Sequence, residues 1–266
     1  MTTISAARTG AVIRKELLEF RRSRFIIVIT TGVIPLIFLI APTAAILAIG
    51  STEPSATLHK VIGFLLLYLL VVPVLIPSTI AAYSVIGERE QGTLEPVLTT
   101  PVSREELLIG KAAAALIPAI GMSYVVLGIF LAVVQLGAHP VVATAVWHSP
   151  DLLAEVFFIP LLAGWAIWIG LAISSKVSDI RAAQQLSTLA GLPPIALIAL
   201  MSLQVISSTL ILAVSLAATL LAIDCAAYLL VSRLFDRERL VTGAKQHRLT
   251  SPRHRPGDAG VTRPVS

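Results

Sequence analysis

The chain has 266 residues, 56% of them apolar and 13% charged, with a formal charge of +5. Soluble proteins run at roughly 45–50% apolar and 25% charged, so an ordinary soluble domain is excluded. One cysteine, Cys225, excludes an internal disulfide and a cysteine-based metal site, and the absence of any G-x-x-x-x-G-K-[ST] run excludes ATP binding by a phosphate loop of that kind.

Residues 1–10 are small and polar and read as a disordered tail. From Ala11 to Arg24, Val12, Ile13, Leu17 and Phe20 recur near helical spacing, with Arg14, Lys15, Arg21, Arg22 and Arg24 between them. This is the pattern of a basic amphipathic helix lying on a membrane surface. The alternative is the basic start of a signal peptide, but the apolar run that follows is longer than the usual h-region of about 7–15 residues. That first span covers about 25–49 and carries Pro35 and Pro42, and a second covers about 61–86 with Pro73 and Pro77. Interior prolines are tolerated where neighbouring helices or water satisfy the freed carbonyls, and they should bend both spans.

Between the second and third spans lies a charged island of 25 residues, Gly87 to Lys111, with five of the fifteen acids of the chain. Thr93 can cap a short helix over 94–98 with Glu95 near its positive end, and Pro101 stops it. Leu94, Val97 and Leu98 give that helix an apolar face with no use in a solvated loop, so it should dock on something. Ser103 and Glu106 then form S-x-x-E, a capping box, with Val102 and Leu107 spaced as a hydrophobic staple. A helix should start at Ser103 and run into the third span, about 107–136 with Pro118, and a fourth follows at about 154–174. The run 186–231 is about twice the length of one span and must fold back. Its polar cluster from Ser202 to Thr209 divides it into spans at about 186–203 and 210–232. The basic residues 233–266 read as a disordered tail. The domain division is therefore 1–24 for the tail and amphipathic helix, 25–232 for an all-α, six-span membrane domain, and 233–266 for the tail.

On this topology 19 of the 20 basic residues fall on one side and only Lys60 on the other. The positive-inside rule makes both termini and the 87–111 island cytoplasmic in a cell membrane. The positive charge is then topological, with no nucleic-acid partner implied.

The string from Glu88 to Lys111, E-R-E-x-G-T-L-E-x-x-L-x-T-P-V-S-R-x-E-L-L-x-G-K, resembles the hallmark of ABC-2-type permeases, the membrane subunits of ABC exporters. The basic N-terminal helix resembles that family's elbow helix, and the six-span layout agrees. The resemblance implies a coupling helix that touches a separate ATPase subunit. Gly92, Thr93, Leu94, Glu95 and Leu98 would meet that ATPase; Glu88, Arg89, Glu90 and Arg104 would make charged contacts around them, and Ser103 would tie the motion to the third span. It also implies a dimer with a second permease copy or a homologous permease, and a path at the dimer interface lined by the second and fifth spans. ATP and Mg would sit on the ATPase, with no cofactor on this chain. The plainer reading is a charged loop between well-capped helices.

Other residues invite functions of their own. Asp224 is the one acid read as lying deep in a span, and an intramembrane carboxylate points to a proton or cation site. Its alternative is an Asp hydrogen-bonded to a neighbouring helix. Asp179, Arg181 and Gln184, in the loop after the fourth span, could add an ATPase contact or form a solvated helix start. His139, His148 and Asp151 fit no standard metal spacing, and Trp147 reads as an interfacial anchor on a short external helix. Two other classes stay open: an ion-gradient-driven secondary transporter using Asp224, and a non-transporting membrane assembly protein.

Overall fold

The computed structural model describes residues 5–50, 55–90, 102–177, 179–202 and 210–234. Among these every regular element is helical, and six helices are long and apolar enough to cross a membrane.

Helix α1 spans Ala6–Arg22. Residues 6–10, expected to be disordered, are therefore helical; Ser5, at the start, is held by a distant carboxylate described below. The buried stripe of α1 is Thr9, Val12, Glu16 and Phe20, while Arg14, Arg21 and Arg22 point outward. Only Ser23 separates α1 from α2, Arg24–Ala48. The first turns of α2 are widened into a π-helix over Val28–Val33, where the Ile34 N–H bonds the carbonyl of Ile29. Pro35 explains the widening, since its ring clashes with the carbonyl four residues back and it offers no N–H.

The second span is broken in two, α3 (Ser55–Leu69) and α4 (Val72–Glu90), with a turn at Leu70 and Val71. Pro73 cannot donate to Leu69, which ends the first half. The helix of α4 also carries Glu88, Arg89 and Glu90, which the sequence placed in the charged loop; no Gly-Pro signal stops it at Gly87.

Helix α5, Arg104–Gly137, is followed by a short α6, Pro140–Trp147, and by α7, Pro150–Lys176. The fifth span is α8, Ile180–Ala190, then α9, Leu192–Ser202, and it starts earlier than the apolar run because Asp179 caps it, accepting from the Ala182 N–H at 3.0 Å. The last span is α10, Leu210–Leu234.

Helices α4 and α7 together form the hub: they pack on each other and both on α5 and α8, and α7 also carries α10. The second span is 72% buried over its most apolar stretch, against 17% for α10, which leans on α7 with its outer face free. Close approach is made possible by glycines: a Cβ on Gly170 of α7 would lie 2.7 Å from the Cβ of Ala81 on α4. Two prolines are accommodated by aromatic donors from neighbouring helices. Pro160 leaves the Val156 carbonyl without its helical donor, and the Tyr124 hydroxyl of α5 donates to it at 2.9 Å. Pro194 does the same to Ala190, whose carbonyl accepts from the Trp165 indole of α7 at 3.0 Å. Polar groups inside the second span are likewise satisfied: Ser78 and Thr79 donate to the carbonyls of Val74 and Leu75, and Gln184 of α8 donates to Thr79 Oγ1 at 3.1 Å.

Candidate functional site

The second half of the Glu88–Lys111 string forms the foot of α5. Ser103 is extended, and its hydroxyl accepts from the Glu106 N–H at 3.2 Å. Glu106 Oε2 accepts in return from the Ser103 N–H at 2.8 Å, completing the capping box. The other carboxylate oxygen has a second client. Glu106 Oε1 accepts from the Ser5 N–H at 2.7 Å and from Arg8 Nε at 3.1 Å, with Arg8 Nη2 at 3.0 Å. Ser5 precedes the first turn of α1, so one fully buried carboxylate serves the N-terminal ends of two helices. Two sets of free N–H groups and two positive dipole ends converge on it.

One turn further along, Gly110 lets α1 come close. A Cβ there would lie 2.7 Å from the Val12 Cβ, which no rotation of valine relieves. Next to it Lys111 Nζ meets Glu16 Oε1 at 2.7 Å, and both side chains are 1% exposed. Lys15 adds contacts to Glu16 at 3.4 Å and Glu19 at 3.1 Å. A buried pair of this kind is held by geometry and by extra hydrogen bonds, since desolvation opposes it. Glu106, Gly110 and Lys111 therefore face α1 from a single side of α5.

Of the residues singled out from the sequence, Ser103 lies in this site with the hydrogen bonds expected. The backbones of Glu88, Arg89 and Glu90 end α4, and that of Arg104 begins α5. Gly92, Thr93, Leu94, Glu95 and Leu98 lie outside the described residues. Glu16, Arg8, Gly110 and Lys111 were missed as site residues. Lys111 counted as the last residue of the family string and as topological charge, and no local spacing links it to a partner 95 positions away.

Asp224 sits at the seam of α10 and α7, 9% exposed. Its carboxylate lies over Gly164, where a Cβ would fall 2.7 Å from Oδ2. Oδ1 is buried with no hydrogen-bond partner among the described residues. One turn on, Trp168 and Tyr228 meet edge to face, with ring centres 5.3 Å apart. Another buried acid, Glu155, lies near the start of α7, 1% exposed and one turn after Asp151. Gln184, a candidate for partner contact, is turned inward to Thr79. On α6, Trp147 donates to Gln135 Oε1 at 2.8 Å, and the His148 ring bonds the Thr144 carbonyl at 2.9 Å. Among the described residues no group of three His, Cys, Asp or Glu is placed to hold a metal ion.

Comparison with known proteins agrees with this architecture. The family described as ABC-2 family transporter protein matches residues 12–180, from the buried face of α1 through α7 to the start of α8. No curated protein matches the chain. With six membrane-length helices and a family match over more than half its length, the chain belongs to the ABC-2 transporter family and is a multi-pass membrane component of a transporter.

Proposed function

We propose that the chain is the permease subunit of an ATP-driven exporter, working as a dimer and taking its energy from a separate ATPase that grips the segment between α4 and α5. The basic residues gathered on one side support an orientation with that segment and both termini in the cytoplasm of a cell membrane. ABC-2 permeases partner with an ABC ATPase as a family. Within this chain, Gly92, Thr93, Leu94, Glu95 and Leu98 form the docking face. Glu88, Arg89, Glu90 and Arg104 supply charge around it.

The observation that carries this reading is the foot of α5. A segment that receives a push transmits it only if its exit is rigid, and the exit here is a complete capping box on a buried carboxylate. The cap alone would suit a plain loop as well; the tie from the same carboxylate to Ser5 and Arg8 is what makes this exit rigid. Secondary transport would rest on Asp224 and its oxygen without a partner among the described residues, but the string of residues around Leu94 would then have no role.

Leu94→Asp and Glu95→Lys are each expected to abolish co-purification of a phosphate-loop ATPase with the full-length protein, while leaving the thermal unfolding of the permease unchanged. Retention of the ATPase by both variants would refute the docking face.

A further inference from the structure

Resting on the coupling proposed above, we infer that the segment between α4 and α5 drives two elements rather than one: α5 directly and, through Glu106 and Lys111, the amino-terminal helix α1 and with it the first span. Glu16, Glu106 and Lys111 are then positioning residues for transport, and the second half of the Glu88–Lys111 string is an internal clasp rather than a partner surface.

The geometry has three parts. Glu106 ties Ser5 and Arg8 to Ser103, at the point where the segment enters α5. Gly110 admits Val12 in direct backbone-level contact. Lys111 reaches Glu16, closing the clasp farther along both helices. The contacts advance together along α1 and α5, so neither helix can slide without breaking a buried charge pair. Pulling Lys111 away from Glu16 would take apart two charges that are each 1% exposed, which is costlier than moving both helices together. Only Ser23 then stands between α1 and α2, and its hydroxyl accepts from the Ile26 N–H at 3.4 Å. Displacement of α1 reaches the first span, where the π-helix over Val28–Val33, just ahead of Pro35, is the place for a bend.

The test uses the permease–ATPase complex in lipid nanodiscs, with Cys225→Ser as background and spin labels placed pairwise at the exposed positions Arg14, Ile117 and Leu230. Distances are read without nucleotide and with ATP plus vanadate. The expected result is an unchanged Arg14–Ile117 distance, with the Arg14–Leu230 and Ile117–Leu230 distances shifting together. In Arg8→Ala with Glu16→Gln and Lys111→Met, which removes both the Arg8–Glu106 and the Lys111–Glu16 pairs, the Arg14–Ile117 distribution should broaden. The nucleotide-dependent shift of Arg14 should be lost while that of Ile117 persists. A merely structural clasp would lose both shifts or neither. A nucleotide-dependent change in the Arg14–Ile117 distance of the unsubstituted complex would overturn the inference, as would an Arg14 shift that survives in the triple variant. If no pair shifts at all, the coupling reading itself falls and takes the clasp's role with it.

Discussion

Lys111→Met alone should destabilise the solubilised protein by about 3 kcal/mol, the lower end of what breaking a buried ion pair costs. The substitution preserves length and apolar stem but strands the Glu16 carboxylate, which is 1% exposed. Lys15 lies 3.4 Å from the same oxygen and is 36% exposed, so it offsets part of the loss and keeps the effect from the top of the range. Adding Glu16→Leu should recover most of the stability, because a well-packed apolar pair replaces an ion pair at little net cost. Denaturant unfolding in detergent, followed by tryptophan fluorescence, reads both. Equal destabilisation in the single and double variants would mean that Lys111 acts through packing and not through Glu16.

The second large effect lies at the hub. Gly170→Val should cost about 2–3 kcal/mol, since the added Cβ meets Ala81 at 2.7 Å and the two branches beyond it have no room. Neither partner can turn away: the obstacle is a Cβ with no rotamers of its own, so α4 and α7 must separate along their contact. Helix propensity works the other way, valine being a better helix former than glycine, but that gain is a few tenths of a kcal/mol and does not decide the sign. Ala81→Gly in the same chain should restore part of the loss. Unfolding midpoints of the three variants measure it, and a Gly170→Val protein as stable as the parent would show that the helices are not in contact there.

Both predictions rest on contacts that sequence alone did not reveal, and the reason is physical. The spans were legible because a membrane helix is written in composition: a charge-free run of sufficient length has few other fates. The capping box was legible because its two residues are three apart and satisfy each other. The same Glu106 also holds Ser5, 101 positions away, and no local rule ties a carboxylate to a distant N–H. That unseen bond is also why the first residues of α1 read as disordered: they contain no large apolar side chain to hold them, and their anchor lies in another part of the chain. Helix ends were misplaced wherever polar residues continue a helix beyond the apolar run, as at Glu88–Glu90 in α4 and at Ile180 in α8. Glu155 escaped notice because it sits at the edge of an apolar run, where a charge reads as solvated, although it is in fact buried.

The central claim is that the chain draws its power through the segment between α4 and α5. It is tested most directly by a photo-crosslinking amino acid placed at position 94 of the full-length protein in living cells. Light should produce an adduct with an ATPase that carries a phosphate-loop motif, and the same group at Leu136, 88% exposed at the opposite end of α5, should produce none. An unadducted position 94 that is labelled only by reagents confined to the cell exterior would contradict the account, as would cargo movement by the purified chain with no nucleotide-hydrolysing partner.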